Sequence, residues 1–535
     1  MHHVQRSLSL LMVTLSLLVG ACTNTSEVSS STRRIVYGLT LSVSGIDPHI
    51  NQNSELGIVL RQVYDTLVYR DPTTKEIVPG LASSWQISDD GLVYTFRLRP
   101  DVVFHDGTVF NANAVAANLD RITNSALNSQ RARLLLGPYA GYQIIDDFNI
   151  RIILSQPFSP LLDSLAQVYL GMASPKALAE YAEDTLRYQF HQVGSGPFIF
   201  VEYVPEDRIV IRRNPKYAWG PSFYGSLPDN AVEEVEFRFF RDPSTRAAAL
   251  LSGDAHIMGE LLPADARSLS GNPSVRLLPT TVPGQPLQFY FNTRLVPTDS
   301  LAIRQAILYA SNRTAIVDAV YQGFSPVAWG PLSAATLFYN PGVVNAYAHD
   351  KESARRLLSS AGYADSDNDG LLDLAGQPLQ INVIQPPWGL VPQVVQLLQD
   401  QWRSVGIQAN IVPVPGFVAL LEKIREGNWH MVAFDAFGYD PALLDDRFKS
   451  NGVANWTGYA SSELDALLEQ ARQAQNPSDR QLFYGQAQSQ IMQNALILPI
   501  RDYVNINAHV SSVEGLIFDP YGWFPLLYGV RLNVS

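Results

Sequence analysis

Four aspartates recur in Asp365-Ser366-Asp367-Asn368-Asp369-Gly370-Leu371-Leu372-Asp373, at positions 1, 3, 5 and 9, with glycine at 6. Alternating oxygens can converge on one hard cation while the glycine makes the sharp turn, which is calcium-loop spacing. Position 12 is Gly376, so the bidentate glutamate is missing. A weak calcium site on Asp365, Asp367, Asp369 and Asp373 and a solvated acidic turn both fit. Calcium is then a possible ion, and no cofactor is required. Phe104-His105-Asp106-Gly107 sets an imidazole beside a carboxylate, but no second histidine lies nearby to complete a metal site, and it reads as a structural turn. Gly194-Ser195-Gly196 runs into Pro197 and the strand-like Phe198-Ile199-Phe200 instead of the helix a dinucleotide fingerprint needs, so it too reads as a tight turn. The chain has no His-Glu-x-x-His, Gly-x-Ser-x-Gly or phosphate-binding loop and no second cysteine for a thiolate metal site. The sequence reads as a binding protein, not an enzyme; a secreted hydrolase is the alternative from another class.

Cys22 is the lone cysteine in 535 residues. It follows a segment with Arg6, an apolar stretch from Leu8 to Val19, and Gly20-Ala21. That is signal-peptide layout, too short to stay in a bilayer as a helix, and its end resembles the lipobox of bacterial lipoproteins. The reading is an exported chain, acylated on Cys22 and held by lipid alone on the outer face of the cell membrane or in the periplasm. Thr23 to Thr32 is Ser, Thr, Asn, Glu and Val and reads as a flexible tether. Hydrophobic residues make up 46% and charged residues 16% of the chain, a globular composition with length enough for more than one core. A net charge of −12 argues against nucleic acid or an anionic lipid surface as partner.

The elements that must carry these residues change character along the chain. Tyr94, Phe96 and Leu98 alternate with Thr95, Arg97 and Arg99, and Asp89-Asp90-Gly91 precedes them, so Ser84 to Leu98 is expected to be a hairpin. A second is expected from Tyr142 to Leu154 around Asp146-Asp147. Asp299 is expected to open a helix with Ile303, Ile307 and Ala310 inward, and Asn312 to cap the next, ending at Gly323. Leu379–Gln385 reads as a strand. A helix with Val394, Leu398, Trp402 and Val405 on one face follows, stopped by Gly406. Then come a strand from Ile407 to Val412, a helix facing inward through Val418, Leu421 and Ile424, and a strand from His430 to Ala436. That order implies a parallel sheet covered by helices, so a β-rich first half is joined to an α/β second half.

Several stretches, read together, resemble the family 5 extracellular solute-binding proteins, the receptors of dipeptide, oligopeptide and nickel importers. They include Ile46-Asp47-Pro48-His49, Pro79-Gly80-Leu81-Ala82 with Trp85, Phe104-His105-Asp106-Gly107, Gly194-Ser195-Gly196-Pro197-Phe198, Arg213-Asn214-Pro215-Lys216-Tyr217, Phe291-Asn292-Thr293 and Gly438-Tyr439-Asp440-Pro441. The resemblance implies an α/β, two-lobed periplasmic-binding-protein fold, type II-like and of cluster C, with an additional β-rich subdomain. The divisions expected are a signal peptide over 1–21, a tether over 22–34, lobe I from 35–75, 193–286 and 503–535, the subdomain over 76–192, and lobe II over 287–502.

It also implies a monomer that closes two lobes on a peptide or peptide-like solute and hands it to the permease of an ABC importer; a nickel or metal-chelate receptor is the alternative. In the family's peptide receptors an aspartate four residues before the proline of the Gly-x-Asp-Pro-like turn pairs with the ligand's α-ammonium. Here that position is Phe437, which can offer only an apolar or cation–π face. Asp435 projects to the same side of the strand; it either substitutes for that aspartate or caps neighbouring backbone. Phe434, Tyr439 and Asp440 flank it. Asn53, Ser54 and Glu55 align with a ligand-facing loop of the oligopeptide receptors, and Trp388 lies just past a strand end, where open α/β sheets bind ligands.

Overall fold

Asp90 builds the first turn. Its carboxylate accepts from the Ser88 hydroxyl at 2.6 Å and from the Leu92 amide at 3.0 Å, and Gly91 takes a left-handed φ of 69°. The strands Ala82–Ile87 and Val93–Leu98 therefore fold back antiparallel, with Tyr94, Phe96 and Leu98 buried and Arg97 in solvent. The expected second hairpin is also present, as Tyr139–Asp146 and Asn149–Leu154, and completes a four-stranded sheet. The computed structural model describes residues 33–41, 46–50 and 54–533.

Two larger sheets make the frame. The first runs in the order Val275–Thr281, Val504–Val510, Ile257–Met258, Arg34–Leu39, Glu234–Phe239, Arg208–Arg213, Phe198–Val204. The second runs Gln408–Pro413, Gln380–Gln385, Met431–Phe437, Gly284–Phe291, Ile497–Arg501. The chain passes between them twice, at Val282-Pro283 and at Asp502-Tyr503. The two crossings are bonded to each other, the Val282 amide donating to the Tyr503 carbonyl at 2.9 Å. Each sheet has its own core: Tyr37, Val59, Tyr64 and Phe237 under the first, and Phe289, Ile307, Leu398 and Trp402 under the second. Trp402 is fully buried and satisfies its indole by donating to Ser311 Oγ at 2.9 Å.

Two expectations need correction, and a third holds for part of its sheet. The three strands expected to be parallel are so, Gln380–Gln385 running with both Gln408–Pro413 and Met431–Phe437, but the second sheet as a whole is mixed, since Gly284–Phe291 is antiparallel to both of its neighbours. The helix Leu301–Ala310 is capped at Ser300, one residue after Asp299, though Ile303, Ile307 and Ala310 do face inward. The helix Phe417–Glu426 buries Leu420, leaving Val418 71% exposed, so the inward stripe is rotated from the one expected. Asn312 caps the helix Arg313–Tyr321 as expected, its side chain accepting from the Ala315 amide at 3.0 Å. His105 sits in a turn with Nε2 3.0 Å from the Gly196 carbonyl, and a Cβ at Gly194 would stand 2.0 Å from the Val63 carbonyl oxygen. The close approach of that turn to the helix Ser54–Val63 accounts for the glycine.

Candidate ligand-binding cleft

Pro386-Pro387 ends the strand Gln380–Gln385, since neither can donate to a ladder. Its neighbour Met431–Phe437 goes on without it. On one edge Met431–Phe437 pairs with Gly284–Phe291 as far as the Gly284–Phe437 pair, whereas on the other it pairs with Gln380–Gln385 only at Met431 and Val432. Among the described residues no strand takes that second edge from Ala433 to Phe437. Burial changes there too, from fully buried at Met431–Ala433 to half-buried at Phe434–Phe437.

Alternation along this strand sends successive side chains to opposite faces. Phe434 packs edge-on against Trp388 (6.5 Å, 84°) and Trp456 (5.0 Å, 81°), and the Arg447 guanidinium lies 4.8 Å over its ring. Phe437 stacks on Trp523 (5.3 Å, 19°) and meets Tyr503 edge-on (4.9 Å, 68°). Trp523 reaches this point because Gly522 adopts φ 71° against the crossing; a Cβ there would lie 2.1 Å from the Thr281 carbonyl oxygen.

Asp435 shares this face. Burial pushes its carboxyl up to about 6, opposed by the Arg501 guanidinium and reinforced by the charge of Glu260. Arg501 is itself buried, 4.2 Å over the rings of both Tyr321 and Tyr503, donating to Ser325 Oγ at 3.1 Å. From the first sheet, Glu260 accepts from the Tyr503 hydroxyl at 2.9 Å. The hinge thus gathers carboxylates and one arginine around an aromatic cluster drawn from both crossings' surroundings.

Beside Phe437 opens a cleft of about 660 Å³. One wall is Phe437-Gly438-Tyr439-Asp440 with Asp445 and Arg472; the other is Ser129–Leu135 and Phe158–Gln167 from the segment around the four-stranded sheet. Such a volume suits a small solute. Across the cleft Ser159 donates from its amide (3.0 Å) and hydroxyl (2.8 Å) to the Arg472 carbonyl, and away from the cleft Arg267 donates to the Gln322 carbonyl at 3.1 Å. Both acceptors are at helix C-termini, where carbonyls lack partners.

Of the residues singled out in the sequence, Phe434, Asp435 and Phe437 line the end of one strand and Trp388 stands against Phe434. Tyr439 is buried beneath the Arg70 guanidinium at 4.4 Å. Asp440 spends both oxygens on Arg480 (2.9 and 2.8 Å) while capping the Ala442 amide at 3.0 Å, so its part is architectural. Glu55 is buried, its carboxylate 2.9 Å from the Thr40 amide and 3.0 Å from the Thr40 hydroxyl. Ser54 begins the helix Ser54–Val63; Cys22 and Asn53 lie outside the described residues. In the acidic loop, oxygens of Asp365, Asp367 and Asp369 lie within 4.8 Å of one another in solvent, whereas Asp373 turns to the Ser366 amide (3.0 Å) and hydroxyl (2.6 Å). Sequence reasoning missed Arg501, Tyr503, Trp523 and Glu260, which carry no local motif and converge only through the crossings. Among the described residues no helix is long and apolar enough to cross a membrane.

Known proteins place this geometry. Residues 76–452 match the family described as bacterial extracellular solute-binding proteins, family 5 Middle. The chain is 28% identical over 571 aligned positions to heme-binding protein A of Haemophilus influenzae, covering 98% of this chain and 99% of that protein. It is 26% identical to the dipeptide-binding protein of Escherichia coli K12, covering 96% of each. Its fold superposes on NikA from Brucella suis, crystallised with Fe(III)-EDTA, with a TM-score of 0.83 at 23% identity, over 93% of this chain and 99% of that one. A two-sheet frame crossed twice beside a cleft, with the family match over residues 76–452, makes this chain a member of the bacterial extracellular solute-binding proteins, family 5.

Proposed function

We propose that the chain captures peptides or peptide-like solutes between its lobes and delivers them to the permease of an ABC importer. The observation that carries this reading is the unpaired edge of Ala433–Phe437. Backbone groups along a strand edge that ends at the cleft can pair with an extended main chain, giving affinity without reading side chains. Asp435 on the same strand supplies a carboxylate for an ammonium, and Phe434, Trp388 and Phe437 supply apolar surface. The dipeptide- and glutathione-binding relatives support the same class of solute.

A metal-chelate solute is the second reading, and Phe437 favours it. Its ring is stacked on Trp523, so that position offers no carboxylate to an amine. Native mass spectrometry of the protein from its own host separates the two: co-purified peptide masses support the first, a metal-containing adduct the second, and a solute of neither kind contradicts both.

Export and anchoring belong to the same proposal, with residues 1–21 as a lipoprotein signal, acylation on Cys22 and a monomeric receptor on the membrane surface. Cys22→Ser is expected to leave folding intact and to move the protein to the soluble fraction or leave it unprocessed. Recovery of that variant in membranes, processed and acylated as before, contradicts the anchor.

A further inference from the structure

Thr40 stands between two carboxyl groups. Its hydroxyl oxygen lies 3.0 Å from Glu55 Oε1 and is also hydrogen-bonded to Glu260 Oε2. A threonine hydroxyl has one proton to give, and an ionised carboxylate has none. The contacts are satisfied together only when one of the two glutamates is protonated. Glu260 accepts a second bond, from the Tyr503 hydroxyl, and is half-buried. Glu55 is 2% exposed, and its other oxygen accepts from the Thr40 amide at 2.9 Å. Protonated on Oε1, Glu55 donates to Thr40 Oγ, which donates to Glu260. We propose that Glu55 and Glu260 hold one proton between them through Thr40, and that this proton makes the brace beneath the hinge residue Tyr503 sensitive to pH.

The neighbours agree with this arrangement. Glu260 is fixed in a left-handed conformation, φ 49°, by its amide donating to Asn505 Oδ1 at 2.9 Å and its carbonyl accepting from Arg246 at 2.7 Å. Arg246 spends its remaining bonds on the Phe240 and Arg241 carbonyls, so it reaches the pair through its charge and not through a hydrogen bond to either carboxylate. The other facing groups are Tyr37, raised by burial and then by the Glu55 charge, Tyr503, Asp435 and Arg501. Burial, and next the Glu260 charge, push Glu55 up to about 7. Because the folded value lies above that of the unfolded chain, the folded state gains stability from the proton at low pH and loses it as pH rises through about 7. Tyr503 touches both Phe437 and Arg501, so loss of the proton loosens the hinge cluster from the first-sheet side.

The test is thermal unfolding of the purified chain from about pH 5 to pH 9, wild type against Glu55→Gln, whose amide donates where the protonated acid does. Other buried acids titrate in both proteins, so the readout is the difference. The wild-type midpoint should fall relative to Glu55→Gln by about 1–2 °C between about pH 6 and pH 8. A difference that stays constant with pH overturns the proposal. Should Glu55→Gln fail to fold, the infrared spectrum of wild type carrying ¹³C in its glutamate carboxyls decides. A protonated-carboxyl band at about pH 6 that is gone by about pH 9 supports the shared proton, and its absence at the lower pH overturns it. Neither measurement depends on which solute the cleft holds.

Discussion

The acidic loop around Asp367 and the carboxylates around the hinge use the same chemistry under opposite conditions. In the loop, Asp365 accepts from the amides of Asp369 and Gly370, both at 3.1 Å, and Asp369 from that of Leu371 at 2.7 Å, all in solvent. Each charge keeps its water, so the arrangement costs little and is worth little. At the hinge and along the cleft, Glu55, Asp440 and Asp445 are buried and Asp435 is half-buried, and each must find a partner or a proton. Asp440 finds Arg480. Asp445 has Arg472 at 3.6 Å, and burial pushes its carboxyl up to about 7. Burial, not residue type, decides which carboxylates do work here.

Removing partners sharpens this contrast. Arg480→Ala leaves Asp440 buried and unpaired, which should cost about 3–5 kcal/mol of stability. Denaturant unfolding measures it, and a loss below about 1 kcal/mol would place Asp440 among the exposed pairs instead. The corresponding loss in the loop is far smaller. Calcium is proposed to bind Asp365, Asp367 and Asp369 weakly, and low-millimolar calcium should then stabilise the chain by under about 1 kcal/mol. A thermal shift that Asp367→Ala abolishes supports that site; an identical calcium response in both proteins removes it.

Legibility in the sequence follows the same division. The acidic loop was readable because its carboxylates and glycine are consecutive and its turn is local. The two hairpins were readable because Asp90-Gly91 and Asp146-Asp147 set turns between alternating strands. Asp435 and Phe437 could be placed on one face because a strand alternates wherever it lies. What assembles around them could not be read: Glu260, the Arg501–Tyr503 segment and Trp523 come from three separate places, and only the paired crossings at Val282 and Tyr503 bring them together. Val418 misled for a related reason, since an amphipathic pattern leaves the exact facing angle to the neighbours, and here Leu420 is the residue buried.

The central claim is that Ala433–Phe437 holds the amino end of an extended solute, with Asp435 as its carboxylate and Phe437 where the family's peptide receptors carry one. Calorimetric titration of Asp435→Asn and Phe437→Asp with matched free and N-acetylated dipeptides tests it directly. Asp435→Asn should weaken the free dipeptide at least about tenfold, which is about 1.4 kcal/mol, and leave the acetylated one nearly unchanged, while Phe437→Asp should strengthen the free dipeptide. If neither substitution alters the preference between free and acetylated peptides, the strand does not hold an amino terminus, and the chelate reading takes its place.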